Sequence, residues 1–120
     1  MVKDWSKIGG DLGAAIAQLR SSIPEVMKAF SQMDAAVSKN DALEIKTKEL
    51  IALALGVAAR CDGCLAFHAR AALKHGATRA EVLEAVGMAI YMGGGPSVIY
   101  GAQAVEAYDQ FVAIQQGAAA

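Results

Sequence analysis

No stretch of this chain sustains the alternation of apolar and polar residues that a half-buried strand requires, while helix start and stop signals recur throughout. Its only prolines are Pro24 and Pro96, and each sits where a helix can begin. The chain is therefore expected to fold as one all-α domain over residues 1–120, built from five or six helices. The first is predicted over roughly 4–20, interrupted or softened by Gly9, Gly10 and Gly13. Pro24 opens a second that runs to about Lys39, and Asp41 is expected to cap a long third helix through about Ala59. A fourth begins at Cys61-x-x-Cys64 and stops at Gly76. Thr78, with Glu81 three residues later, forms a capping-box pattern for a fifth, which ends in Gly93–Gly95. Pro96 starts the last, through about Gln115, and the tail at 117–120 is expected to fray.

Composition narrows the setting. Of the 120 residues 55% are hydrophobic, and mean hydropathy is +0.34, which is apolar for a chain with so much surface per volume. Part of that surface is expected to meet further copies, so a homo-oligomer is predicted. The net charge of −1 and the absence of a Lys/Arg run disfavour a nucleic-acid partner. The apolar run "LIALALGVAA" at 50–59 is about half the length that spans a bilayer, so it reads as a buried core helix and no membrane partner is expected. The segment "MVKDWSKIGG" carries no secretory signal, which points to a cytoplasmic, reducing location. In that compartment a Cys-x-x-Cys pair favours catalysis or metal binding over a structural staple.

The residues "ARCDGCLAFHARAALKHG" at 59–76 hold every cysteine and histidine of the chain. On a helix, Cys61, Cys64, His68 and His75 fall within about 60° of arc, and Cys64 and His68 are an i,i+4 pair whose side chains can touch. Cys61 sits at the helix start, where unpaired N–H groups and the dipole favour a thiolate. A neighbouring imidazole can accept or relay the thiol proton. Helix position thus favours Cys61 as the more acidic thiol, while the histidine pair favours Cys64. Either cysteine could instead be a small buried apolar residue. A metal site is disfavoured, because His75 lies about 10 Å beyond His68 along the helix and cannot close one tetrahedron with the other three. His75, in the last turn beside Lys74, suits the exposed carbonyls and is given no chemistry. Leu65 after Cys64 excludes the haem-attachment pattern, and a thioredoxin-like domain would need strands. For Glu49, ahead of the apolar run, spacing alone favours a solvated charge paired with Lys46 or Lys48.

Over about 43–110 the chain resembles the carboxymuconolactone decarboxylase superfamily, and within it the alkylhydroperoxidase D-like branch. The resemblance rests on Glu49, followed twelve residues later by Cys61-x-x-Cys64-x-x-x-His68, and on "AEVLEAVGMAIYMGGGP". It implies an all-helical fold assembled as a trimer or hexamer. It also implies a thiol-dependent peroxidase or disulfide reductase with no bound cofactor, whose catalytic residues are Glu49, Cys61, Cys64 and His68. In that scheme Glu49 and His68 relay a proton to Cys64, which attacks a hydroperoxide. The sulfenic acid then condenses with Cys61, and a dithiol of the dihydrolipoyl kind, free or on a carrier protein, restores the pair. The family's peroxidases carry a further histidine between the cysteines, where this chain has Asp62-Gly63. Two other readings stand beside this one: a cofactor-free decarboxylase, which would need a carboxylate-binding arginine cluster whereas Arg60, Arg70 and Arg79 are spread around helix ends and faces, and a helical oligomer with a redox-switch disulfide.

Overall fold

Six helices follow one another along the chain in the computed structural model, which describes residues 1–117. They are α1 (Trp5–Ser22), α2 (Pro24–Val37), α3 (Ile45–Ala59), α4 (Asp62–Lys74), α5 (Arg79–Gly93) and α6 (Gly95–Gln115). No strand occurs among the described residues. Residues 118–120 of the tail expected to fray lie outside them.

Local chemistry explains most of the boundaries. Asp4 caps α1 by accepting the Lys7 N–H, and Pro24 supplies the first position of α2. Thr78 and Glu81 form the reciprocal capping box at α5, with Thr78 Oγ1 accepting from Glu81 N and Glu81 Oε1 from Thr78 N. Gly76, at φ +89°, ends the turn after α4 in a conformation that favours glycine.

Three expectations need correction. α1 is not broken by Gly9, Gly10 or Gly13 but runs unbroken from Trp5 to Ser22. Gly9 is buried against α4, where an added Cβ would sit at ordinary contact distance from Ala66 and Phe67. Secondly, α2 stops at Val37 rather than Lys39. Thirdly, Asp41 does not cap α3, which begins only at Ile45 after Glu44. The Asn40 side chain instead accepts the Ile45 N–H at 2.9 Å, holding 38–44 as an irregular bridge.

The core lies where α3, α4, α5 and α6 meet, with Leu53, Val57, Leu65, Val82 and Ala104 fully excluded from solvent. The inner face of α4 is nearly all alanine (Ala66, Ala69 and Ala72 are buried), so neighbouring helices can come close. α1 packs on α4 and α6, and its buried Trp5 closes one end of the core. Among the described helices α2 packs against α1 alone and buries none of its residues. Lys48 of α3 ties down its end, donating to the Val37 and Lys39 carbonyls at 2.9 and 2.8 Å.

Candidate active site

The turn between α3 and α4 places the cysteines. Arg60 adopts a left-handed conformation (φ +55°) that reverses the chain, and Cys61 becomes the cap of α4. Its Sγ accepts the Cys64 N–H at 3.2 Å, and the two residues are joined by a disulfide with Cα atoms 5.2 Å apart. Both are partly buried. Gly56 makes this approach possible: a Cβ there would stand 2.9 Å from the Cys64 Cβ.

His68 lies one turn beyond Cys64 on α4 and reaches across to α3, where its Nδ1 is 2.7 Å from Glu49 Oε2. The Glu49 side chain is 15% exposed and that of His68 is 36% exposed. An ionised carboxylate only accepts, so a neutral His68 facing one would carry its proton on Nδ1 and leave Nε2 free to accept another. The pairing with Lys46 or Lys48 favoured by spacing does not occur. Lys46 bonds Glu81 at 3.0 Å, and Lys48 is held by backbone carbonyls. Helix packing thus leaves Glu49 facing the imidazole rather than an ammonium.

Two open clefts flank His68. One, of about 510 Å³, leads to Cys64 and is walled by Ile16, Phe30, Met33, Val37 and Phe67. The other, of about 620 Å³, is lined by Glu49, Lys48, Ile51 and Leu55 among others. Asp34 and Val37 of α2 border both, so α2 forms their shared rim. These α2 residues belong to no sequence motif. Their one sequence signal is the i, i+4, i+7, i+11 spacing of Val26, Phe30, Met33 and Val37, an apolar stripe exposed along the helix.

The remaining candidates fall elsewhere. His75 caps the far end of α4. Arg79 pairs with Asp109 at 3.0 Å, and Arg70 stacks over Phe67 at 5.9 Å from the ring centre, so Arg60, Arg70 and Arg79 do not line either cleft beside His68. Among the described residues no group of three or more His, Cys, Asp or Glu side chains is placed to hold a metal ion, and no helix is long and apolar enough to cross a membrane.

Fold and site together define an all-helical protein with a Cys-x-x-Cys disulfide beside a carboxylate–imidazole pair. The profile of the carboxymuconolactone decarboxylase family matches residues 24–107, more than half of the chain, and the chain belongs to that family. It is similar to a carboxymuconolactone decarboxylase family protein of Legionella pneumophila, crystallised in its apo form, with 50% identity and a TM-score of 0.87 over 89% of this chain and 96% of that one. A second solved relative, from Thermotoga maritima, has been suggested to take part in an antioxidative response. It is 26% identical with a TM-score of 0.78, over 90% of this chain and 95% of the other. An uncharacterised protein of Cupriavidus necator is 36% identical over 99 residues, covering 82% of this chain and 88% of its own length.

Proposed function

We propose that the protein is a thiol-dependent peroxidase, or a disulfide reductase using the same dithiol, in which Cys61 and Cys64 alternate between dithiol and disulfide. The observation that carries this reading is the 2.7 Å Glu49–His68 contact one helical turn from the disulfide-bonded Cys64. Glu49 fixes the ring so that Nε2 can take the thiol proton, and the Cys64 thiolate attacks the terminal oxygen of a hydroperoxide. The O–O bond breaks, the alcohol leaves with a proton returned through His68, and Cys64 becomes a sulfenic acid. Cys61 then attacks that sulfur, expelling water and forming the disulfide. A small dithiol of the dihydrolipoyl class, free or on a carrier protein, returns two electrons and two protons.

The apolar walls of the cleft at Cys64 favour an alkyl or aryl hydroperoxide over hydrogen peroxide, because an organic tail gains by burial there. A decarboxylase acting on an acidic lactone is a weaker reading. Lys48, the one lysine or arginine lining the two clefts beside His68 among the described residues, already spends two of its three donors on backbone carbonyls. We also assign the protein a cytoplasmic, antioxidant role as a homo-oligomer, trimeric or hexameric.

The test is consumption of cumene hydroperoxide with dihydrolipoamide as reductant. Turnover that disappears in Cys64→Ser supports the proposal. Turnover no faster than that of a free dithiol, or full turnover in Cys64→Ser, removes it.

A further inference from the structure

The first of the two residues between the cysteines sets a problem that the N-terminal segment solves. Asp62 occupies the first position of α4, directly after the cap Cys61. A carboxylate there suits the helix dipole but opposes a thiolate on the neighbouring sulfur. Lys3 answers it: its Nζ lies 2.8 Å from Asp62 Oδ2, although 59 residues separate them.

Lys3 is not there by chance of a loose terminus. Its N–H donates to Glu106 Oε2 at 3.2 Å, and its carbonyl accepts from Gln110 Nε2 at 2.7 Å. Trp5 is fully buried, with Nε1 donating to Glu106 and its backbone N–H to Gln110, both at 2.9 Å. The Lys3 ammonium also lies 5.6 Å from the centre of the Trp5 ring. Glu106 and Gln110, one turn apart on α6, therefore clamp the segment, which presents one cation to the start of α4. An ion pair with side chains 33% and 40% exposed adds little to stability, so stability is a poor reason for the Lys3–Asp62 pair itself.

We propose that Lys3 is a positioning residue for the dithiol, the fixed counter-charge that cancels Asp62 and so keeps Cys61 reactive. This rests on the reading that Cys61 and Cys64 cycle between disulfide and dithiol. Other charged groups on the segments packed here are Arg60 beside Cys61, Glu106 on α6 with the N-terminal ammonium near it, Asp4 next to Lys3, the Lys7–Asp11 pair further along α1 and the His68–Glu49 pair one turn beyond Cys64. Of these, none forms the pair that Lys3 makes with Asp62.

The test measures iodoacetamide alkylation of Cys61 in reduced Cys64→Ser protein, from pH 6 to pH 10, and needs no peroxide. A counter-charge role predicts opposite signs for the two partners. Lys3→Gln slows alkylation about threefold at pH 7, and Asp62→Asn speeds it about threefold, each equivalent to about half a pH unit in thiolate formation. The double variant returns close to the parent, Lys3→Arg keeps the parent rate, and all variants converge at high pH. If Lys3→Gln and Asp62→Asn change the rate in the same direction, or neither changes it, the proposal is overturned. Failure of the functional reading shows separately, as a wild-type disulfide that a dithiol cannot reduce or a hydroperoxide cannot restore.

Discussion

At the scale of single residues the proposed chemistry divides the work between two sulfurs and an imidazole held by a carboxylate. In the proposed mechanism Glu49 acts through His68, so Glu49→Gln keeps a hydrogen-bonding partner in place but removes the charge that would stabilise an imidazolium. We predict that it lowers kcat/KM for cumene hydroperoxide about a hundredfold, and that His68→Asn lowers it at least as far. The double variant loses no more than the worse single, since the two act as a unit. Additive losses would mean that the residues act separately. The cysteines part in a second way. We expect Cys61→Ser to consume one equivalent of hydroperoxide and stop at a sulfenic acid, which dimedone traps and mass spectrometry reads. If Cys61→Ser consumes none while Cys64→Ser yields the trapped adduct, the roles are reversed.

At the scale of elements, the distance between α3 and α4 and the seating of α1 matter most. Gly56 on α3 faces Cys64, and an added methyl would meet its Cβ at 2.9 Å. Backbone must move to relieve this, so Gly56→Ala should cost about 1–3 kcal/mol in urea unfolding and slow disulfide formation. An unchanged unfolding midpoint would show that the helices can part without loss. The clamp on the N-terminal segment has its own signature. Burial pushes the Glu106 carboxyl up, but the Trp5 indole and the Val2 and Lys3 amides outweigh burial and hold it below its ordinary 4.5. A depressed folded value means the clamp contributes fully above pH 4.5 and is lost as pH falls through the lower folded value. Trp5 is the only tryptophan of the chain, so its emission reports the event directly. We expect a red shift on acidification in the wild type, and a shift already present at neutral pH in Glu106→Gln with its acid-dependent part removed. A wild-type emission that stays flat through the acid range until the whole chain unfolds would contradict this.

At the scale of the molecule, apolar surface remains uncovered. Phe30 and Met33 on α2 are each 61% exposed, and Tyr91 and Met92 at the end of α5 are 79% and 78% exposed. Patches of this kind mark interfaces, so light scattering should give a multiple of 12.4 kDa, where a monomer at micromolar concentration would contradict the oligomer. How far the sequence revealed all this follows from the range of each force. The helix order, the start of α4 at Cys61 and the Thr78–Glu81 box are legible because caps and turns are settled within four residues. The start of α3 is not, because Asn40 reaches five residues forward to cap it. Nor is the partner of Glu49: Lys46 and Lys48 are its sequence neighbours, yet tertiary packing gives Lys46 to Glu81 and Lys48 to the end of α2. The cleft walls from α2 and the Lys3–Asp62 pair depend on contacts between distant segments and carry no local pattern.

The central claim, that Cys61 and Cys64 are a working peroxide-reactive dithiol, is tested most directly by anaerobic thiol titration of the reduced protein after one equivalent of cumene hydroperoxide. The account predicts the rapid loss of two thiols per chain, with Cys61 and Cys64 recovered as one intramolecular disulfide by peptide mapping. Thiols that persist, or disappear no faster than those of a free dithiol, would contradict it.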